Sequence, residues 1–430
     1  MKFTAAGDAI IQQRIHKDFE GFAELAPFIE KGDARFFNLE TTLNREGECF
    51  ASQFSGGTYI RTNPECLEDL KGFAFNMTSA NNNHAMDFSY EGLYRTLEAL
   101  DESGMVHAGL GNNLAEASAP RYLDTPNGRV ALIAVSTTFN PAMMAGEQGR
   151  RVAGRPGVNG IRLEKLVRLG AEDLERIKDI AKNCGINVGR EIIRKEGYLP
   201  PLPADKAEFG EMSFALGDKP GLEYVPNQKD VERVKKAIYE AQLQADYVMV
   251  SIHSHEVDGA TKEAVPNFLR DITHTLIDAG ANAIVGHGPH LLRPIEVYKD
   301  APIFYSLGDF ILQLYSIEFA PEDFYAKQGL NSDATVHELL KTRSANFTRG
   351  LMEDRRMFLS VIPYWETEGG KLTKLQLMPI EAKMKGHKAE RGLPRKATDL
   401  AFFEKSFADM CAPYGVRMTV NKKGIIECKW

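Results

Sequence analysis

The chain has 430 residues, of which 43% are hydrophobic and 26% charged, as is usual for a globular protein of one large domain with insertions or of two domains. The formal net charge is −7 and the sequence has no long basic run, which argues against nucleic acid or an anionic membrane as the main partner. The five cysteines are scattered and form no Cys-x-x-Cys pair, so neither a disulfide framework nor a thiolate zinc site is expected.

The sequence starts with Met-Lys-Phe-Thr-Ala-Ala-Gly-Asp, which leads into a predicted strand and lacks the apolar core of a signal peptide. No stretch of the sequence is apolar over the length that a bilayer-spanning helix needs. We therefore expect a reduced, cytoplasmic location, no membrane partner, and a small molecule or peptide as substrate. The oligomeric state is left open.

Strands and helices alternate in the first third of the chain. Strands are predicted at Lys2–Ala6, Ala34–Leu39, Phe73–Thr78, Met105–Gly109 and Arg129–Val135, with helices at Phe19–Ile29 and Tyr90–Ser103 and a loop or hairpin at Gly47–Thr62. The alternation predicts an α/β fold.

Residues 140–230 interrupt this alternation and predict an insertion or lid over the functional edge of the sheet. Within it, Asn140–Asn159 is rich in glycine, methionine and arginine and predicts a mobile loop, whereas Leu163–Cys184 has helical periodicity. A helix at Val231–Gln244 and a strand at Ala245–Ile252 then return the chain to the sheet.

The later elements form two groups. Predicted next are the helix Asn267–Ala279, the strands Ala283–Val285 and Ile303–Leu307, a hairpin of Arg356–Tyr364 and Leu372–Pro379, the helix Lys396–Ala412 and a terminal hairpin in Arg417–Trp430. Because the C-terminal third carries no recognisable catalytic motif, we expect a catalytic domain over residues 1–310 and, over residues 311–430, a β-hairpin and helix extension packed on it.

Metal-binding and proton-transferring residue types follow several predicted strands. They are Asp8, Glu40, Asn83 with His84, His253 with His255, and His287 with His290. Ligands of open α/β sheets bind outside the carboxyl ends of the strands, so these side chains are expected to meet at one edge. Carboxylate, amide and imidazole together are typical of a two-metal hydrolase site in which one oxygen ligand bridges the ions.

Two assignments remain open at this point. His253 and His255 point the same way if their strand continues, and either could be the ligand. His84 and Asp87 share a helix face if the following helix begins early, and Asp87 could orient His84, cap that helix or act on a C–H bond. A proton-transfer role is therefore predicted for His84, Asp87 and His255.

The order of the motifs resembles the bacterial capsule-synthesis CapA (poly-gamma-glutamate) family, which is similar to the calcineurin-like metallophosphatases. The motifs are Gly-Asp, Asn-Leu-Glu, Asn-Asn-His-Ala-x-Asp, His-Ser-His-Glu, Gly-His-x-Pro-His and Tyr-Ser-Leu-Gly-Asp-Phe, within Met1–Phe310. The resemblance implies a four-layer α/β/β/α sandwich with a metal site at one edge. It also implies a ligand set and, in His84, the acid beside the ligand Asn; the ligands would be Asp8, Glu40, Asn83, His253 or His255, His287 and His290.

The sequence departs from the metallophosphatase pattern at several positions. Ile10 stands where those enzymes usually carry a histidine, and Glu40 takes the place of a bridging aspartate. Ser254-His255 replaces the usual Trp-Gly, and Asp309 stands where the CapA-like motif has asparagine. The departures imply that at least one metal position differs from the phosphatase arrangement.

Three functions are consistent with these features. The first is a metal-dependent hydrolase of a phosphoester or of a peptide or poly-gamma-glutamate-like amide, using one or two divalent ions that the sequence does not distinguish among Mn, Zn, Fe, Ca and Mg. The second is a metal-assisted peptide or amino-acid epimerase or transferase on the same scaffold. The third is a non-catalytic component of polymer synthesis. The density of ligand-type residues favours an enzyme, because idle polar clusters are costly to bury.

Overall fold

The computed structural model describes residues 1–331 and 333–430 of the chain. Its strands, β1 to β24 in chain order, are Lys2–Ile10, Ala34–Leu39, Thr42–Leu43, Arg61–Thr62, Met77–Ser79, Val106–Ala108, Leu110–Gly111, Arg121–Thr125, Gly128–Ser136, Gly157–Val158, Leu163–Leu169, Lys206–Phe209, Met212–Leu216, Gly221–Pro226, Tyr247–His253, Ala283–His287, Ile295–Tyr298, Ala301–Phe304, Asp309–Leu312, Leu359–Glu368, Lys371–Ala382, Pro394–Lys396, Arg417–Val420 and Ile426–Lys429. Its α-helices, α1 to α11, are Glu20–Ile29, Cys66–Gly72, Ser89–Ser103, Leu114–Ser118, Ala171–Cys184, Val188–Lys195, Gln228–Gln242, Asn267–Asp278, Glu322–Ala326, Val336–Arg343 and Ala408–Cys411.

Two large sheets form the centre of the molecule. The ten-stranded sheet runs in the order β23-β24-β21-β20-β1-β2-β5-β6, with β19 beside β1 and β22 beside β21. The six-stranded sheet runs β17-β18-β16-β15-β9-β8. Strands β1, β2, β5, β6 and β19 are parallel, as are β9, β15, β16 and β18, so each sheet presents the carboxyl ends of several strands at one edge.

The two sheets pack face to face and helices cover their outer faces. Phe3 and Trp365 of the larger sheet and Leu132 of the smaller sheet belong to one buried cluster between them. Leu25 of α1 belongs to a cluster on the outside of the larger sheet, and Ile238 of α7 to one on the outside of the smaller sheet. The predicted mixed α/β architecture is confirmed, and the burial pattern orders its layers as helix, sheet, sheet and helix.

Part of the predicted insertion forms a small sheet of its own, in the order β12-β13-β11-β14, with α5 and α6 after β11. The helical prediction for Leu163–Cys184 is wrong in its first part, because Leu163–Leu169 is a strand and the helix begins at Ala171. Strand β11 has a hydrogen-bonded neighbour on each side, β13 and β14. Such pairing overrides a local apolar spacing that favours a helix.

The C-terminal segment extends the larger sheet. Strands β20 and β21 pair antiparallel, as do β23 and β24, which confirms both predicted hairpins. Strand β20 also pairs with β1, where Trp365 is the register partner of Phe3. The helix predicted at Lys396–Ala412 is shorter than expected and includes a π-helical turn, Phe403–Phe407, before α11.

Two further elements differ from their predicted form or bounds. Of the two alternatives predicted for Gly47–Thr62, the structure has the loop and not the hairpin, because β4 at its end pairs parallel with β3. The strand predicted at Phe73–Thr78 begins only at Met77, after Ala74 turns the chain with φ of 70°. Across residues 1–331 and 333–430, helices long and apolar enough to cross a membrane are absent.

Candidate metal centre

Asp8 lies within β1, although the sequence predicted that the strand would end before it. The strand continues to Ile10 because its second half gains β19 as a parallel neighbour, with a register shift after Asp8. Such irregularities re-aim side chains near functional sites. Asp8 is the register partner of Asn38 on β2 and of Asp309 on β19. Three adjacent strands thus bring two carboxylates and an amide to the same level of the sheet.

The second sheet contributes a pair of histidines. His253 and His287 are the last residues of β15 and β16 and are register partners. Their Nδ1 atoms lie 2.9 Å apart. The hydroxyl of Ser251 lies 2.7 Å from Nε2 of His287, so that Nδ1 of this ring faces Asp8, 3.5 Å from Oδ1. A hydrogen bond at one ring nitrogen selects which nitrogen remains for a cation.

Asn83 and His255 approach His253 from loops. The side-chain NH₂ of Asn83 donates to the carbonyl oxygen of Gly56 at 3.0 Å, which turns Oδ1 of Asn83 towards Nε2 of His253 at 2.7 Å. Nε2 of His255 lies 2.9 Å from the same nitrogen of His253. Both histidines of the His-Ser-His-Glu motif therefore face the centre, as the alternation predicted.

The loop after β16 turns sharply to bring His290 into the centre. Gly288 has φ of 120°, and its N–H donates to Oδ2 of Asp8 at 2.9 Å. A side chain at this position would meet the backbone nitrogen of Ser254 at 3.0 Å. His290 has φ of 61°, which is rare for a residue with a side chain and is found at functional sites. Nδ1 of His290 consequently lies 2.9 Å from Oδ1 of Asp309.

Glu40 occupies the middle of these groups. Oε1 lies 3.7 Å from Nε2 of His253 and 3.9 Å from Nε2 of His255, and Oε2 lies 3.8 Å from Nδ1 of His290. Glu40 is 0% exposed, and neither oxygen has a hydrogen-bond partner among the described residues. Two ligand atoms of one tetrahedral ion, each about 2.1 Å from it, are about 3.4 Å apart. These separations therefore leave room for a cation beside each oxygen.

Donors that are buried, except for the half-buried His255, fall into three sets whose ligand atoms lie within 4.8 Å of one another. The sets are Asp8, His253 and His287; Glu40, His253 and His255; and Asp8, Glu40, His290 and Asp309. Asp8, Glu40 and His253 each belong to two of the sets, so the three sets adjoin one another. The cluster is compatible with a two-metal centre, and its donors fit divalent ions that accept imidazole and carboxylate.

Burial shapes the charges of the centre. It raises the pKa of Asp8 to about 7, together with the nearby charge of Asp309, and raises that of Glu40 well above its ordinary value. Burial lowers the pKa of His287 to about 3 and that of His253 well below its ordinary value. The imidazoles of His253 and His287 are therefore neutral and ready to act as ligands, while the crowded carboxylates favour a cation that would offset their repulsion.

His84 and Asp87 form a pair beside the carboxylates. Nδ1 of His84 lies 2.6 Å from Oδ2 of Asp87, and Nε2 lies 3.9 Å from Oε1 of Glu40. Asp87 also accepts the N–H groups of Gly56 at 3.0 Å and Ile60 at 2.9 Å. A Cβ atom at position 56 would lie 2.6 Å from the His84 ring, so this close approach requires glycine.

Sequence analysis did not place some residues of the centre. Asp309 was noted as standing in place of asparagine in the Tyr-Ser-Leu-Gly-Asp-Phe motif but not as a ligand, although it repeats the Gly-Asp pair of β1. Asn38 belongs to the Asn-Leu-Glu motif and donates its NH₂ to Oδ1 of Asp8 at 2.7 Å. Ser251 and Gly56 carried no sequence signal, because their roles depend on neighbours distant in the chain.

The fold and the buried cluster define the chain as a mixed α/β protein with a candidate metal centre. Residues 2–314 match the family model described as bacterial capsule synthesis protein PGA_cap. The match covers most of the chain and includes every residue of the cluster. The chain belongs to this family, as the resemblance of its motifs implied.

Relatives extend the match along the chain. The uncharacterized protein y4sH of Sinorhizobium fredii is 32% identical over 444 residues, covering 99% of this chain and 92% of the relative. The PGA biosynthesis protein CapA of Bacillus subtilis is 26% identical over 254 residues, covering 59% of this chain and 47% of the relative. A hypothetical protein from Thermus thermophilus, of solved structure, is matched with a TM-score of 0.39 and 12% identity over 88% of this chain and 98% of that chain. Membership of the family therefore rests on sequence.

Proposed function

We propose that the chain is a metal-dependent hydrolase of metallophosphatase-like type, acting on a phosphoester or on an amide of a peptide or poly-gamma-glutamate-like substrate. The observation that carries the proposal is Glu40, a fully buried carboxylate with no hydrogen-bond partner for either oxygen among the described residues and with four histidines around it. An arrangement of this kind is costly unless a cation completes it. The name of the Bacillus subtilis relative, PGA biosynthesis protein CapA, supports the amide class.

We assign the metal ligands from the donor sets. The two oxygens of Glu40 face different histidines, His253 and His255 on one side and His290 on the other, so Glu40 would help either group to hold a metal ion. The proposed ligands are Asp8, Glu40, Asn83, His253, His287 and His290, with Asp309 added from the geometry. Bound divalent ions supply a water molecule of lowered pKa and a charge that polarises the reacting oxygen of the substrate.

The chain's own residues would handle the protons. Asp87 accepts the Nδ1–H of His84, which leaves Nε2 on the side of Glu40 to deliver a proton to a leaving oxygen or nitrogen. His255 keeps 25% of its side chain exposed whereas His253 is buried, so His255 is the ring that an incoming substrate reaches. We therefore assign His84 as the acid and His255 as a substrate contact that can exchange a proton.

The contacts of Asp87 distinguish the proposed hydrolysis from the epimerase alternative. Its oxygens accept hydrogen bonds from His84, Gly56 and Ile60, and the residue is 0% exposed. A base that removes an α-proton must reach the substrate, and this carboxylate faces the protein. The geometry therefore favours Asp87 as the residue that positions His84, and it favours hydrolysis over the epimerase alternative.

Metal analysis joined to activity assays tests the proposal. The purified protein should contain one or two divalent ions per chain and hydrolyse either aryl phosphates or γ-glutamyl amides, without deuterium exchange at the substrate α-carbon. His287→Ala should remove metal and activity together. His274→Ala is the matched control. His274 is not a member of the cluster, and its ring stacks on that of Tyr298 with the centroids 3.9 Å apart. Protein that takes up no divalent ion, or whose metal content is the same in His287→Ala, would contradict the proposal.

A further inference from the structure

A cavity of about 370 Å³ lies beside the metal centre and takes no part in the reaction described above. Its walls are mainly apolar and include Tyr315, Ile317, Leu340 and Phe347. Small-molecule sites commonly measure about 300–1,000 Å³ and combine apolar walls with a few polar groups. The cavity therefore has the size and lining of a site for part of a substrate.

The cavity shares a wall with the metal centre. Leu314, Leu351 and Met352 line it and pack in one apolar cluster with Leu291 and Ile60. Leu291 directly follows the proposed ligand His290 in the chain, and the N–H of Ile60 donates to Oδ2 of Asp87 at 2.9 Å. This apolar cluster consequently connects the wall of the cavity to residues that flank the reacting groups.

One loop contacts both sites. Gly56 lies against the His84 ring, and Thr58, two residues later, lines the cavity. The hydroxyl of Thr58 accepts a hydrogen bond from the guanidinium of Arg343. The loop that contains Gly56 and Thr58 therefore contacts both the proposed acid, His84, and the guanidinium of Arg343.

Two arginines stand at the cavity without an anionic partner. Neither Arg343 nor Arg349 forms an ion pair with any acid of the described chain, whereas Arg355 nearby pairs with Asp399 at 3.0 Å. Arg343 stacks at 5.3 Å from the ring of Phe324, and burial of its guanidinium lowers its pKa. Guanidinium groups bind carboxylates and phosphates through paired hydrogen bonds. Two such groups over apolar walls are suited to an anion that carries an apolar body.

The segment that follows α10 at the wall of the cavity has an uncommon backbone conformation. Ala345, Asn346 and Phe347 have φ of 50°, 61° and 57° in succession, directly after α10. Side-chain residues rarely adopt this region, and its use is concentrated at binding and catalytic sites. The turn places Phe347 at the cavity and brings Arg349 to the same side as Arg343.

We propose that this cavity is a substrate-recognition subsite that binds a carboxylate or phosphate group attached to an apolar body, through Arg343 and Arg349. The proposal rests on the proposed function, since it assigns the part of the substrate remote from the bond that is cleaved. Binding energy from such remote contacts orients the reacting group. The substrate would therefore be an amphiphilic anion.

Binding of simple probes tests the subsite without any turnover. Calorimetry with 3-phenylpropionate, phenyl phosphate and the uncharged 3-phenylpropionamide should show both anions binding more tightly than the amide, and the tighter anion identifies the group recognised. The double variant Arg343→Met/Arg349→Met should weaken the anions about tenfold or more, as loss of a charge-assisted hydrogen bond does. Arg355→Met is the matched control and should bind as the unaltered protein does.

The His287→Ala variant separates this proposal from the metal centre. Retained probe binding with metal lost supports the subsite, whatever the outcome for hydrolysis. Probe binding that disappears in His287→Ala would place the anion at the metals and overturn the proposal. Equal binding in the double variant, or equal binding of the amide and the anions, would overturn it as well. Each single arginine variant is measured alongside, with its thermal midpoint, so that a folding defect is recognised.

Discussion

The centre holds two histidine–carboxylate pairs that differ in what the carboxylate contacts. In the first, His84 lies 2.6 Å from Asp87, whose oxygens also accept two backbone N–H groups, one of them from Ile60. In the second, His290 lies 2.9 Å from Oδ1 of Asp309, while Oδ2 of Asp309 has no hydrogen-bond partner among the described residues. Both oxygens of Asp87 thus have hydrogen-bond partners, whereas one oxygen of Asp309 has none among the described residues.

The difference separates a positioning acid from a metal-binding acid. Burial raises the pKa of both Asp87 and Asp309, so burial alone does not distinguish them. Asp309 in addition faces Asp8, whose pKa is raised by burial and by the charge of Asp309. Buried polar groups are normally satisfied, and the exceptions call for a ligand. Between these two carboxylates, the open Oδ2 of Asp309 is the observation that favours metal binding by Asp309.

The largest effect should come from the histidine of the first pair. We expect His84→Asn to keep its metal ions and to lose about 10²–10⁴-fold in rate, the usual contribution of general acid–base catalysis. Turnover and elemental analysis are measured on the same preparation. His107→Asn is the control, because His107 pairs with exposed Asp101 at 2.8 Å outside the centre. Full activity in His84→Asn with metals present would move the role to His255.

Asp309→Asn tests the second pair. We expect its affinity for metal to fall about 100-fold, since a change beside a metal costs at least about 10–100-fold and Asp309 is proposed as a ligand. In metal-free protein at neutral pH the same change should raise the unfolding midpoint, because burial raises the pKa of Asp309 and makes its charge costly. Metal titration and thermal unfolding measure the two effects. Unchanged affinity in both Asp309→Asn and His290→Ala would sink the assignment.

Asp87→Asn should differ from Asp309→Asn both in metal affinity and in stability. We expect retained metal, a rate loss smaller than that of His84→Asn, and a loss of about 1–3 kcal/mol in unfolding free energy, because an amide cannot accept all three hydrogen bonds. Urea unfolding and elemental analysis provide the measurements. A rate loss as severe as that of His84→Asn, together with deuterium exchange at the substrate α-carbon in the unaltered protein, would favour the epimerase alternative.

The smallest effect concerns a buried acid far from the metals. Burial alone would raise the pKa of Asp230, but hydrogen bonds from Arg162 and Arg233 lower it below its ordinary 3.8. The stability that this ionised carboxylate contributes is therefore present above pH 3.8 and lost as the pH falls through the lower folded value. Asp230→Asn should lower the unfolding midpoint at neutral pH, with metal content unchanged. A difference that persists undiminished below pH 3.8 would show that the charge is not responsible.

Sequence patterns placed much of the fold and of the centre. Ala34–Leu39 was predicted with the bounds that the structure has, because its apolar run is flanked by residues that end a strand. The motifs also named most members of the cluster, since each follows an apolar strand. The helical prediction for Leu163–Leu169 failed because neighbours on both sides impose a strand that local spacing does not encode. Asp309 was passed over because its importance depends on β1, which is distant in the chain.

The sequence by itself determined the alternation of strands and helices, the residue types that the strands carry to one edge, and the family to which the chain belongs. Local composition is enough for these, because apolar periodicity and turn residues act over short stretches. Only the tertiary structure decided that both oxygens of Asp87 accept hydrogen bonds, and that among the described residues Glu40 has no hydrogen-bond partner and the two arginines at the cavity have no ion-pair partner. Hydrogen-bond completeness is a property of neighbours far apart in sequence, and it exists only once the sheets have packed.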